Sequence, residues 1–265
     1  MRDLKITLIQ STLHWENVDA NLKMFSDKIA DIQEQTDLIV LPEMFSTGFT
    51  MNQKAMAETM KGKTMEWMRG MAKEKNCVIT GSLIIEEKKK YYNRLIWMLP
   101  SGNYKTYDKR HLFRYAGEEK YYSAGKKKLI VELHGWKICP LVCYDLRFPL
   151  WSRNSFNKKG EGQYDLLLYV ANWPERRNHP WKTLLMARAM ENQAYVAGLN
   201  RVGNDGNNIY HSGDSAVINF KGEIISNIKA KEESVETVTL SKKDLTEWRK
   251  SFPAWMDADK FRVGS

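Results

Sequence analysis

The sequence has too few cysteines to build a disulfide framework: three in 265 residues, an odd number. Its opening segment, Met1 to Gln10, mixes charges into a strand-like pattern instead of placing a basic stretch before an apolar one, as a signal peptide does. Reduced thiols and a cytoplasmic location are therefore expected. Cys139 and Cys143 lie in one strand-like run, too far apart along it for an easy bridge. No apolar run approaches membrane-spanning length, so no membrane partner is expected. No Pro/Gly/Ser-rich linker divides the chain, which is expected to form a single domain over 1–265 with a tail from about residue 251. The five histidines, His14, His111, His134, His179 and His211, sit in unrelated contexts and make no metal-ligand spacing.

Negative charge is the scarcer sign, and the formal net charge is +9. A basic chain invites a nucleic-acid reading. Much of the excess, however, sits in Lys88–Lys90 and Lys126–Lys128, short runs flanking strand-like segments, where solvated loop tips explain it. With no aromatic-basic recognition motif or zinc spacing beside them, no nucleic-acid partner is expected.

Strand-like and amphipathic helical segments alternate throughout. Leu4 to Gln10 reads as a strand and Val18 to Gln35 as a helix with Leu22, Phe25, Ile29 and Ile32 on one face; Asp37 to Glu43 reads as a buried strand. A helix near Thr64 to Lys75, a strand from Cys77 to Ile85 and a hairpin turning at Pro100 to Asn103 complete the first half. The second half repeats this order: Asp165 to Val170 parallels Asp37 to Leu41, and the helix near Trp181 to Asn192 feeds Tyr195 to Gly198. A hairpin at Lys221-Gly222 and a last helix, Lys242 to Lys250, precede the aromatic segment Phe252-Pro-Ala-Trp255, which is expected to pack on the domain or on a neighbouring subunit. Two related β-α-β-hairpin halves would stack sheet on sheet with helices outside, giving a four-layer α-β-β-α sandwich.

Three segments put reactive groups at strand ends. Glu43 follows Leu38 to Pro42, Lys109 lies in Tyr107-Asp-Lys-Arg-His-Leu-Phe113, and Cys143 ends Lys137-Ile-Cys-Pro-Leu-Val-Cys143, with a helix expected over Leu150 to Asn157. Taken singly they read as a solvated carboxylate, a surface lysine and a core thiol. A thiol at a strand-to-turn junction is also how a nucleophile is presented to a backbone N–H that can face a reacting carbonyl.

In order, spacing and flanking residues, Glu43, Lys109 and Cys143 resemble the Glu-Lys-Cys triad of the nitrilase superfamily, the carbon-nitrogen hydrolases. Cys143-Tyr-Asp-Leu-Arg-Phe-Pro149 and Asp108-Lys-Arg-His-Leu-Phe113 are most similar to the bacterial omega-amidases of that superfamily. The resemblance implies that Glu118 is an accessory glutamate, with Glu119 its rival by one position. It also implies that Asn172-Trp173-Pro174 lines the pocket, and it extends to Asn200 to Gly206 and Ser212 to Ser215.

The implied activity is hydrolysis of a small carboxamide, the omega-amide of a 2-oxo acid, through a cysteinyl thioester and without metal or organic cofactor. Glu43 would take the thiol proton and pass it to departing ammonia, since burial can bring a carboxylate into the working range. Lys109 and the Tyr144 N–H would hold the oxyanion. Trp173 is expected to wall the pocket. Arg147 would either bind a substrate carboxylate through its planar fork or make an ion pair behind the thiol. His179 and Arg201 are further candidates for substrate contact. A nitrilase, aliphatic amidase or N-carbamoyl hydrolase would use the same triad, and a silent binding protein could share the fold. Relatives' habits imply a homodimer. No histidine carries a motif that pairs it with Cys143, and Gly213-Asp-Ser-Ala lacks the final glycine of a serine elbow.

Overall fold

A computed structural model describes residues 2–259. In chain order it forms β1 (Leu4–Gln10), α1 (Val18–Ala30), β2 (Leu38–Val40), α2 (Gln53–Met56), α3 (Lys63–Lys75), β3 (Val78–Glu87), β4 (Lys90–Met98) and β5 (Tyr104–Asp108). The second half forms β6 (Val131–Leu133), β7 (Trp136–Val142), α4 (Pro149–Ser152), β8 (Leu166–Ala171), α5 (Asn178–Asn192), β9 (Tyr195–Asn200), β10 (Val202–Asn204), β11 (Tyr210–Ser212) and β12 (Ala216–Ile218). It closes with β13 (Ser234–Leu240) and α6 (Lys242–Ser251).

The two halves share one strand logic. In the six-stranded sheet, β13-β1-β2-β3-β4-β5, the pairs β1–β2 and β2–β3 are parallel and β3–β4 is antiparallel. In the five-stranded sheet, β12-β9-β8-β7-β6, the pairs β7–β8 and β8–β9 are parallel and β12 lies antiparallel on β9.

The period of the strands sorts side chains between two cores. Leu4, Ile6 and Leu8 of β1 and Leu38 and Val40 of β2 join Leu141, Leu166, Leu168 and Val196 in one buried cluster between the sheets. Ile9, Ile39 and Leu41 point the other way, onto Leu22, Phe25 and Ile29 of α1 and Met65 and Met68 of α3. This is the layering of an α-β-β-α sandwich. Among the described residues no helix is long and apolar enough to cross a membrane.

Several expected boundaries shift for local reasons. Helix α1 ends at Ala30 instead of Gln35, where the Asp31 N–H closes the last turn on Asp27. The helix expected over Leu150 to Asn157 stops at Ser152, because the Asn154 N–H is bonded to Asn192 Oδ1 at 2.8 Å and its side chain to Tyr164 O at 3.0 Å. Lys88 and Lys89 form the exposed tip of the β3–β4 hairpin, both with positive φ. The return arm after Lys221-Gly222 is reduced to a single bridge, Ile218 with Ile224. Strand β13 is an addition to the expected elements. It pairs along all of β1, from Leu4 with Leu240 to Gln10 with Ser234, and so ties the end of the chain to its beginning. In the aromatic segment, Trp255 stacks on Phe156 at 5.8 Å between ring centres. The rest of the expected tail, 260–265, lies outside the described residues.

Candidate active site

Strand β7 ends on Val142, and the chain turns at once through a 3-10 segment, Cys143–Arg147. Cys143 takes φ +44°, a left-handed conformation that costs a non-glycine residue about 1–3 kcal/mol unless its surroundings hold it. Asp145 supplies the hold. Its buried carboxylate accepts from the Val142 N–H at 3.1 Å, the Tyr107 hydroxyl at 2.7 Å, the His111 N–H at 3.0 Å and His111 Nδ1 at 2.7 Å. Tyr144, second in the 3-10 segment, has an N–H with no acceptor inside that turn. Cys143 is 9% exposed, and its thiol faces Glu43 closely enough for that carboxylate to raise its pKa.

Glu43, Lys109 and Glu118 meet this thiol from three other places in the chain, all essentially without exposure. Lys109, just past β5, donates from Nζ to Glu43 Oε1 at 2.9 Å and to the two oxygens of Glu118 at 3.1 and 2.9 Å. Asn172 holds the other side of Glu43, its N–H donating to Oε2 at 2.8 Å and its side chain to the Glu43 carbonyl at 2.5 Å. The Phe113 N–H donates to Glu118 at 2.6 Å. The Lys109 backbone is pinned from both sides: its N–H donates to Asn93 O and its carbonyl accepts from the Gly125 N–H, each at 2.9 Å. A Cβ on Gly125 would stand 2.0 Å from the Asp108 carbonyl, so only glycine permits this approach.

The charges are set by burial and by each other. Burial pulls the Lys109 pKa down, but Glu118 and then Glu43 outweigh it and hold the ammonium firmly protonated. Burial lifts the Glu118 carboxyl above its usual range, with Lys109 opposing. Burial, then the Glu43 charge, pushes the Cys143 thiol well above its ordinary range, again against Lys109. The resting group is therefore a thiol and not a preformed thiolate.

Glu43, Lys109 and Cys143 form the floor of a cavity of about 600 Å³, with Glu118 buried behind Lys109. Trp173, 4% exposed, is in its wall, held by Asn200 Oδ1 at 2.7 Å from its N–H and by Arg177 O at 2.6 Å from its indole nitrogen. Arg147 also lines the cavity, with its guanidinium 4.9 Å from the centre of the Trp173 ring. Among the described residues no ion pair holds it behind the thiol, and Asp145 is already committed to His111 and Tyr107. Glu118, not Glu119, turns inward; Glu119 is 25% exposed and stands 4.0 Å from Arg114.

Two candidates fall outside the cavity. His179, the second residue of α5, is exposed to solvent. Arg201 is fully buried, with its guanidinium turned to the carbonyls of Val202 and Asn204 at 3.1 and 2.7 Å; burial lowers its pKa to about 10.

Sequence reasoning missed others. Arg176 and Arg177 line the cavity with Phe113 and Tyr115, and Arg177 lies 5.1 Å over the Phe113 ring. Among the described residues no ion pair engages Arg147, Arg176 or Arg177; the adjacent acid, Glu175, pairs with Lys231 at 2.9 Å. Burial and then the neighbouring Arg176 lower the pKa of Arg177, the mark of crowded like charges. Their signal was the Arg-Arg pair that follows Asn172-Trp-Pro174 after one residue, Glu175. Asn93, which bonds both carboxylates, left no signal beyond its place in a strand.

Known proteins resemble this chain over nearly its whole length. A family model described as carbon-nitrogen hydrolase matches residues 5–250. The chain is 48% identical over 263 residues to omega-amidase YafV of Escherichia coli (strain K12), covering 99% of this chain and 100% of that protein. It is 31% identical over 258 residues to 2-oxoglutaramate amidase of Bacillus subtilis (strain 168), covering 96% and 97%. The crystal structure of XC1258 from Xanthomonas campestris, a CN-hydrolase superfamily protein with an arsenic adduct in its active site, superposes with a TM-score of 0.97 at 44% identity over 100% of both chains. With the family model spanning nearly the whole chain and a full-length relative at this identity, the chain belongs to the carbon-nitrogen hydrolase family, within the nitrilase superfamily.

Proposed function

We propose that the protein is an omega-amidase, hydrolysing the terminal amide of a 2-oxo acid such as 2-oxoglutaramate or 2-oxosuccinamate to the carboxylic acid and ammonia. The observation that carries this reading is the pairing of a buried Glu43–Lys109–Cys143 floor with three guanidiniums, Arg147, Arg176 and Arg177, that have no carboxylate partner among the described residues. The floor suits amide cleavage. The guanidiniums suit a substrate whose far end is a carboxylate, which their planar forks bind through two parallel bonds. The names of the relatives agree with this substrate class.

In the proposed reaction the thiol of Cys143 attacks the amide carbon while its proton passes to Glu43, the carboxylate beside it. Transfer during attack is required because the resting thiol holds its proton so firmly. The oxygen that gains charge would be met by the Lys109 ammonium and the Tyr144 N–H; losing one such donor costs about 3 kcal/mol of transition-state stabilisation. Glu43 returns the proton to the departing nitrogen, leaving a thioester, then takes a proton from the water that hydrolyses it. Glu118, by gripping the ammonium, keeps Lys109 from closing onto Glu43 alone. The same reading places the enzyme in the cytoplasm as a homodimer, and sedimentation as a monomer at micromolar concentration would remove the second point.

Ammonia release from 2-oxoglutaramate, simple aliphatic amides, carbamoyl amines and nitriles tests the proposal. Turnover of 2-oxoglutaramate in preference to the rest is expected, with none by Cys143→Ala. Preference for nitriles or carbamoyl amines would overturn the substrate class, and equal release by the variant would overturn the role of the thiol.

A further inference from the structure

Asn93 touches both carboxylates of the site and the backbone of its lysine, though it is no part of the triad. It sits in β4 opposite Ile84, fully buried. Its side-chain Nδ2 donates to Glu43 Oε1 at 2.8 Å and to Glu118 Oε1 at 3.3 Å, and its backbone carbonyl accepts the Lys109 N–H at 2.9 Å. One ammonium thus faces two carboxylates, and a neutral amide stands between them.

Two buried carboxylates this close disfavour each other's charge and tend to share a proton. A shared proton would leave Glu43 unable to accept another. An amide N–H₂ offers two donors, cannot itself ionise, and bonds both acids at once. Its orientation is dictated by them, since the reversed amide would aim Oδ1 at two carboxylate oxygens. The consequence is visible on the far side, where Asn93 Oδ1 is buried with no hydrogen-bond partner. Leaving a buried acceptor unmade is unfavourable, and this one is tolerated beside the site. The other titratable groups facing the cluster do not replace the amide. The Tyr122 hydroxyl is committed to Thr50 O at 2.6 Å, the Cys143 thiol lies on Glu43, and Glu16 is bonded by Thr50 and Asn52.

We propose that Asn93 is a positioning residue: its side-chain amide separates Glu43 from Glu118 and keeps Glu43 free to take the Cys143 proton. This rests on the reading of Glu43 as the base for that thiol.

The test compares Asn93→Asp and Asn93→Leu, both close to Asn in size, with wild type in two assays. The first is turnover of 2-oxoglutaramate across pH; the second is the rate of Cys143 alkylation by iodoacetamide, which needs no substrate. Expected are a fall in kcat of roughly tenfold to hundredfold with KM nearly unchanged, the size expected for removing one hydrogen bond to a charged group. Alkylation should slow in parallel, and in Asn93→Asp the acidic limb of the kcat profile should move to higher pH.

A folded variant of either kind that keeps both rates within about twofold of wild type, or that raises KM while keeping kcat, would overturn the proposal. If Asn93→Leu does not fold, Asn93→Asp decides. Should wild type release no ammonia from any amide, the substrate reading fails while the alkylation rates still decide the role of Asn93.

Discussion

Glu118 grips the ammonium of Lys109 with both carboxylate oxygens, at 2.9 and 3.1 Å, whereas Glu43 offers it one, at 2.9 Å. This unequal sharing leaves Glu43 Oε2 to the Asn172 N–H and keeps Glu43 beside the thiol. Glu118→Gln removes the second charge and lets Lys109 close onto Glu43. A fall in kcat of roughly a hundredfold is expected with the fold retained, the effect of removing one charge-assisted hydrogen bond from a buried site. Glu119→Gln, at a half-buried residue that bonds neither Lys109 nor Glu43, should stay within about twofold of wild type. Ammonia release and circular dichroism on the two variants check this, and equal falls in the two would contradict the assigned register.

The three thiols should separate cleanly on alkylation. Cys77 and Cys139 are 2% and 0% exposed, and burial pushes both up to about 12. Cys143 opens onto the cavity and has a carboxylate to receive its proton. Iodoacetamide near neutral pH is expected to label Cys143 alone in native protein and all three after unfolding, read by mass spectrometry of peptides. Labelling of Cys139 at a comparable rate would show the sheet interior to be open.

Arg147→Ala and Arg177→Ala should raise KM for 2-oxoglutaramate by roughly tenfold to hundredfold each, the range for removing a hydrogen bond to a charged group. Turnover of a short uncharged amide should be nearly unaffected, because it has nothing for a guanidinium to hold. Equal damage to both substrates would move these arginines from recognition to structure.

His211, 2% exposed in the cavity wall, has its pKa lowered from 6.5 to about 4, by burial first and by Arg201 next. The folded form is thus depressed below the unfolded one. Its neutral state is present in both forms above about 6.5, and between there and about 4 the unfolded chain binds the proton first, so stability falls as pH falls. The decrease reaches about 3 kcal/mol at full titration. Urea unfolding at several pH values across that window should show a shallower fall in His211→Gln than in wild type.

Much of the site was legible because its chemistry is tied to local pattern. A thiol, a lysine and a carboxylate at strand ends can be read from alternating apolar runs and the turns that stop them, and Glu43, Lys109 and Cys143 do converge. The choice between Glu118 and Glu119 was not legible, since adjacent residues differ by which way a short 3-10 turn faces them. His179 and Arg201 lie outside the cavity for a similar reason: a residue a few positions past a matching motif, or within one, can point along a helix into solvent or back into the protein.

The sequence by itself determined the alternation of strands and helices, the repeated half, the reduced thiols and the order of the triad, because these follow from residue type and spacing along the chain. Only the tertiary structure decided that β13 returns to β1, that Asn93 stands between two carboxylates, and that Arg147, Arg176 and Arg177 share one cavity without acidic partners among the described residues. Each of these depends on groups far apart in the chain, set by sheet register and by competition among buried charges, and neither quantity has a period in the sequence.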